Sequence, residues 1–201
     1  MEWQNDKYGR NMWGTPSESN GDYAWIQHMV SSMALGKGRM AVVMPQGVLF
    51  RGQQDGKIRK KLVQSDLVEA VVTLGDKIFY GTQLSPCFLI LRRVKPTTHS
   101  ARVLMVDGSK ILTTKRAQNE LSDEDAKRLY ELYANYENVE DFSQVVTLDE
   151  IAQKGYDLSP NKYVHYHKEE IRPYAEVLAD FKAAYEEVKM RELEFKNVIN
   201  M

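Results

Sequence analysis

The chain has 201 residues, 43% of them hydrophobic and 27% charged, enough for one domain with a sizeable core and a small appendage. Its 27 Lys+Arg and 28 Asp+Glu give a net charge of −1, which as a single number excludes an obviously basic nucleic-acid binder or an acidic tail protein. That sum conceals a reversal: residues 37–116 hold fifteen Lys/Arg against five Asp/Glu, and residues 117–201 hold ten against nineteen. Such asymmetry fits separate surfaces for separate partners, nucleic acid among them, and equally fits chance patterning of solvated faces.

No apolar run approaches the roughly 20 residues of a membrane span, and the N-terminus lacks the basic and apolar regions of a signal peptide. The single cysteine, Cys87, excludes an internal disulfide and a cysteine-based zinc site. It lies in an apolar run, where core packing is its natural role, and the usage points to a reducing, cytoplasmic compartment.

In chain order, residues 1–21 read as a polar loop whose Trp3, Tyr8, Met12 and Trp13 suggest a segment that lies against something. Asn20 or Asp22 caps a helix to about Leu35, with Tyr23, Ile26, Met29, Val30 and Met33 on one face. Met40 to Met44 has the wholly apolar character of a strand buried on both faces. A Gly/Gln-rich loop from Gln46 to Gly56 precedes a basic amphipathic helix from Lys57 to about Gln64. Leu67 to Leu74 and Cys87 to Leu91 are two more apolar strands. Their short, helix-free connection predicts antiparallel pairing. Arg102 to Val106 is a fourth strand.

Beyond Asp107 the character changes. Ser122 opens a helix whose first turn is acidic (Asp123, Glu124, Asp125), and Thr147 to Gln153 is a short second one. A long helix from Pro173 to about Asn197 places Tyr174, Leu178, Phe181, Tyr185, Val188, Phe195 and Ile199 in alternating four- and three-residue steps. That is a seam suited to a partner helix, or to docking on the chain's own domain. His165 and His167 flank Tyr166, but without cysteine or an acidic pair nearby they do not make a metal site.

Three stretches carry a specific resemblance: Gly21-Asp22-Tyr23-Ala24-Trp25-Ile26-Gln27-His28, then Gly38-Arg39-Met40 through Arg51-Gly52, then Ile78-Phe79-Tyr80-Gly81 through Arg92-Arg93. Gln118-Asn119-Glu120-Leu121 and Gly155-Tyr156-Asp157-Leu158-Ser159-Pro160-Asn161-Lys162-Tyr163 follow in collinear order. Together, over about residues 3–165, the chain resembles the modification subunit of type I restriction–modification systems, a family of adenine-N6 DNA methyltransferases. The resemblance implies an α/β fold: the last strands of a Rossmann-like methyltransferase sheet, with its terminal antiparallel hairpin, over residues 1–116, then a helical appendage over 117–201. It implies S-adenosylmethionine as cofactor of the full-length subunit. Its partners would be DNA, a specificity subunit, a restriction subunit and an N-terminal half.

The sequence contains no Gly-rich loop opening a helix after a strand, and its six prolines are never adjacent, so the family's Asn-Pro-Pro-Tyr/Phe motif is absent. The chain reads as beginning just after that motif, with no catalytic residue, metal or cofactor of its own. It is expected to be inactive alone. By resemblance, Phe79, with Tyr80 beside it, matches an aromatic that stacks on the extruded adenine, though a turn residue packing back on the core fits too. Pro45, Gln46 and Phe50 are candidates for the same pocket. Arg51, Lys57, Arg59, Lys60 and Lys61 are candidates for DNA contact, or a solvated loop and helix face. Arg92 and Arg93 suit either role. Tyr174, Leu178, Phe181, Tyr185, Val188 and Phe195 would meet the specificity subunit. A different class of reading is a non-catalytic protein- or DNA-interaction module on the same fold. Either way Met40 to Met44 is an apolar sheet edge. It should pair across an interface, with a second copy as one option, or be covered by the loop bearing Trp3 and Trp13.

Overall fold

The structure, a computed structural model, describes residues 5–167 and 173–199. Five strands form one mixed sheet: β1 (Arg39–Pro45), β2 (Val68–Leu74), β3 (Pro86–Arg92), β4 (Arg102–Gly108) and β5 (Ser143–Thr147), in the order β1-β3-β2-β4-β5. β3 runs antiparallel to both β1 and β2, β4 is parallel to β2, and β5 is antiparallel to β4. β1, β2 and β4 therefore share a direction. Their carboxyl ends, and the loops that leave them, gather at one edge.

Two cores form because the central strands are apolar on both faces. On one face, Val103 and Met105 of β4 join Val71, Leu89 and residues of helices α1 (Asp22–Ser32), α2 (Gly47–Phe50), α3 (Gln53–Gln64) and α5 (Leu148–Gln153). On the other, Leu104 and Val106 join Ala70, Val72 and Leu129 of α4 (Asp123–Asn135). α4 and α5 start on capping boxes, Ser122 with Asp125 and Thr147 with Glu150, in which each side chain bonds the other's backbone N–H.

Several expectations change. β1 is not buried on both faces. Met40, Val42 and Met44 turn to the first core, whereas Ala41, Val43 and Pro45 are exposed, because β1 is an edge strand. Its ladder partner among the described residues is β3 alone. The Gly/Gln-rich stretch is not all loop, since it forms α2 and the first turn of α3. β5 was not anticipated. The N-terminal loop lies on α1: Gln27, fully buried, accepts from the Trp13 N–H and donates to the Gly14 carbonyl, both at 3.0 Å. Trp13 packs on the first core, while Trp3 lies outside the described residues.

The chain divides into two compact units, residues 1–166 and 167–201. The charge reversal at 116/117 falls inside the first, because α4, β5 and α5 pack on the sheet. The second contains α6 (Tyr174–Ile199), a helix of 26 residues and about 39 Å at 1.5 Å per residue. Ion pairs Glu186–Lys189 and Glu187–Arg191 support it along its surface. Among the described residues no helix is long and apolar enough to cross a membrane.

Candidate nucleic-acid interface

The carboxyl edge of the sheet is the place where open α/β sheets bind ligands, and here it carries three exposed aromatics. Phe50 ends α2 and is 55% exposed. Phe79 (46%) and Tyr80 (91%) stand on the β2–β3 connection. A cavity of about 500 Å³ opens at this edge, lined by Gln46, Phe50, Thr73, Asp107, Asn161 and Lys162 among others. The structure thus brings Gln46 and Phe50 together, but Pro45, Phe79 and Tyr80 are not part of that lining. Gln46 is engaged with the frame: its Nε2 donates to the Leu74 carbonyl at 3.2 Å and the Pro86 carbonyl at 3.4 Å, tying the ends of β2 and β3.

Two carboxylates at the cavity escaped the sequence reading. Asp107 accepts from the Thr73 hydroxyl (3.2 Å), the Ser109 N–H (3.0 Å) and the Tyr166 hydroxyl (2.5 Å). Burial alone would raise its pKa, but these bonds outweigh it and hold the carboxyl below its usual range. Asp157 behaves alike: burial is outweighed by Lys162, at 2.5 Å, and by Ser159. Both are acceptors at neutral pH. Among the described residues no group of three or more His, Cys, Asp or Glu is placed to hold a metal ion. The Cys87 thiol is buried and pushed up to about 12 by that burial, so it is inert.

The basic candidates separate sharply. Arg51 is tied to Asp22, to Asp55 at 3.0 Å and to Asn20 at 3.1 Å, joining α1 to α3 rather than facing a ligand. Arg59 is only 3% exposed. It donates to the carbonyls of Arg51 (2.6 Å), Tyr156 (2.7 Å) and Val48 (3.3 Å), so it is an internal brace and not a phosphate contact. Arg92 pairs with buried Glu69, and Arg93 donates to the Val30 carbonyl. Lys57, Lys60 and Lys61 remain exposed and line a groove of about 410 Å³ with Trp13 and Ile58. Position in sequence could not separate these groups, because a buried arginine on an amphipathic helix looks basic until its distant carbonyl acceptors are known.

This separation predicts different responses to substitution. Arg59→Met removes a donor from three carbonyls, of which that of Val48 still accepts from the Tyr23 hydroxyl, and should lower unfolding free energy by about 3 kcal/mol. Lys60→Ala and Lys61→Ala should change it by less than about 0.5 kcal/mol. Urea unfolding followed by circular dichroism reads both, and equal losses would refute the assignment.

The seam residues of α6 are set along its surface. Tyr174, Phe181, Tyr185, Val188 and Phe195 are exposed and Leu178 is half-buried. Phe181 and Tyr185 stack one turn apart, with centroids at 6.4 Å.

With this geometry in view, comparison with known proteins defines the class. The N-6 DNA methylase family matches residues 1–171, and the chain belongs to that family. Within it, the chain is 33% identical over 154 residues to the type I restriction enzyme MjaVII methylase subunit of Methanocaldococcus jannaschii, covering 75% of this chain and 26% of that protein. It is 30% identical over 208 residues to the HindI methylase subunit of Haemophilus influenzae, covering 96% of this chain and 46% of that one. The crystal structure of a type I restriction-modification methyltransferase subunit from Streptococcus thermophilus superposes with a TM-score of 0.73 at 28% identity, over 81% of this chain and 34% of that one. The EcoKI M protein, at 20% identity and a TM-score of 0.54, shares the fold. The chain spans between about a quarter and just under half of the length of these curated relatives.

Proposed function

We propose that this chain supplies one wall of the target-base pocket, a DNA-facing edge and a partner-docking helix to a type I restriction–modification adenine-N6 methyltransferase. The strand order β1-β3-β2 carries the reading: an antiparallel strand inserted between two parallel ones, with β1 left open on its outer side among the described residues. A methyltransferase sheet continues beyond that edge, so a strand from a segment carrying the Asn-Pro-Pro-Tyr/Phe motif pairs there.

S-adenosylmethionine supplies the methyl group in this family, and in this reading it sits on that other segment. The glycine following β1 supports this. A Cβ on Gly47 would run into the Arg51 side chain, so Gly47 leaves no cradle, and the helix it opens has only four residues. What this chain's residues do is receive the base. Phe79 and Tyr80 present rings at the carboxyl edge for an extruded adenine to stack on, and Gln46 and Phe50 border the adjoining cavity. Lys57, Lys60 and Lys61 contact phosphates without reading sequence. The functional division follows the charge only in part: of the basic residues up to 116, the exposed ones, Lys57, Lys60 and Lys61 among them, face DNA, while Arg51, Arg59, Arg92 and Arg93 brace the fold. The acidic remainder faces protein, with the seam of Tyr174, Leu178, Phe181, Tyr185, Val188 and Phe195 on the specificity subunit and the restriction subunit joining the same assembly.

The test is methyl transfer from labelled S-adenosylmethionine to duplex DNA. The purified 201-residue chain should show no turnover, because methyl donor and target nitrogen must be held in line and this chain seats neither. Adding a segment that carries the Gly-rich loop and the Asn-Pro-Pro-Tyr/Phe motif, with the specificity subunit, should restore transfer and form a complex across β1. Turnover by the chain alone refutes the proposal. Complex formation without any transfer favours a non-catalytic interaction module, and self-association through β1 favours pairing with a second copy.

A further inference from the structure

The connection between β2 and β3 does not stand free. Its first residues are gripped by the loop that leaves β4. Asn119 donates its backbone N–H to the Lys77 carbonyl at 3.0 Å, and its side-chain amide to the Asp76 carbonyl and carboxylate at 3.0 and 3.1 Å. Gln118 Nε2 donates to the Ile78 carbonyl at 2.9 Å. Asn119 is buried, so its bonds are shielded from water. At the root of the connection a Cβ on Gly75 would lie 2.8 Å from the Ser109 carbonyl oxygen and would collide with Leu112, so the two backbones touch. Lys77 adopts a left-handed φ of 53°, a conformation unfavourable for a non-glycine residue that persists where its surroundings fix it. Residues 75–78 and 109–119 therefore form one body, and Phe79 and Tyr80 follow directly after the last gripped residue.

The gripping loop is basic and exposed. From 109 to 120 it holds Lys110, Lys115 and Arg116 against Glu120. All three cations are exposed; Lys115 pairs with Glu120 beside the bridge between Thr113 and Glu120, while among the described residues Lys110 and Arg116 have no ion-pair partner. A cationic loop rigidly joined to a pair of exposed rings suits one nucleic-acid strand: the cations meet phosphates and a ring meets a base.

We propose that loop 109–121 is a phosphate-contacting arm for the DNA strand that carries the target base. Gln118 and Asn119 are positioning residues that lock this arm to the Phe79–Tyr80 loop. The locking role rests on the base-wall reading above. The arm rests on its own charge and exposure.

The test uses the 201-residue chain and a duplex carrying 2-aminopurine at a mismatch, where extrusion costs least. Titrations over a range of salt read phosphate contacts, and 2-aminopurine quenching at saturation reads stacking. Replacing both Lys110 and Arg116 by Ala should reduce the slope of log K against log[salt] by about 2, since each phosphate contact contributes about 0.9, and should leave quenching intact. Asn119→Ala should lose at least half of the quenching while the slope stays. Gln118→Ala, at a half-buried site, should act in the same direction with an unchanged melting temperature, which separates positioning from misfolding. Absence of duplex binding by the wild-type chain, or an unchanged slope in the Lys110/Arg116 double variant, overturns the arm. Full quenching in both Gln118→Ala and Asn119→Ala overturns the locking. Full quenching in both Phe79→Ala and Tyr80→Ala overturns the base-wall reading, and the locking role with it, while a reduced slope in the double variant still supports the arm.

Discussion

Phe79→Ala is expected to lower kcat/KM for methyl transfer by the assembled enzyme about 10- to 100-fold. Stacking an extruded base on an aromatic ring is worth about 1–3 kcal/mol by alanine substitution, and every 1.4 kcal/mol is a factor of ten. The ring is free to do this because it is not needed by the core. Phe79 is about half exposed and belongs to neither hydrophobic core. The same substitution should therefore leave the melting temperature within about 1 °C, and Phe79→Tyr should retain most of the activity. Tyr80, more exposed still, tests the alternative. If Tyr80→Ala costs more than Phe79→Ala, the base stacks on the neighbouring ring. If neither change exceeds twofold, this edge does not hold the base.

Elements whose cause is local were legible in the sequence, and those whose cause is distant were not. Ser122 and Thr147 announce their helices because a capping box spans only four residues. The β2–β3 hairpin follows from two apolar runs and a short connection. β1 was misread because an apolar run looks the same whether one or two of its faces are covered. What decides is the neighbour beyond Ala41 and Val43, which the local sequence cannot specify. β5 was missed since Ser143-Gln144-Val145-Val146-Thr147 is short, half polar and merges into the cap of α5. At the candidate site Phe79, with Tyr80 beside it, was a candidate from resemblance and Phe50 from its place after β1, and all three rings are exposed. Arg51 and Arg59 were not understood, as their acceptors lie on Asp22 and Tyr156, 29 and 97 residues away. The Gln118–Asn119 grip was likewise invisible in the sequence. A polar pair in a loop shows no partner until the fold brings Asp76 and Ile78 to it.

Glu69→Ala is expected to cost about 3 kcal/mol of unfolding free energy at pH 7. Glu69 occupies the irregularity of β2 between Val68 and Ala70 and is almost wholly buried. It accepts from Arg92 at 2.9 Å and from the Tyr133 hydroxyl at 3.0 Å, and lies 3.3 Å from His99 Nδ1, whose ring stacks on Tyr136. Removing one partner of a buried pair leaves the other charge uncompensated, at about 3–5 kcal/mol, and the lower end applies because Arg92 keeps 27% of its side chain in water. Burial would raise the carboxyl, but Arg92, Tyr133 and His99 outweigh it, so its folded pKa lies below that of an ordinary glutamate. The sign follows from linkage. A lowered carboxylate stabilises the fold fully above the unfolded value, about 4.3, and loses that contribution as pH falls through the folded value. The gap between wild type and Glu69→Ala should thus be constant from pH 8 to about 5 and narrow below about 4. Glu69→Gln keeps the shape and removes the titration, so it should weaken the fold at pH 7 and flatten the acid limb of the stability profile. Guanidinium unfolding at several pH values reads all three proteins. A pH-independent gap for Glu69→Ala would show that the charge contributes nothing, and that Glu69 only fills the irregularity in β2.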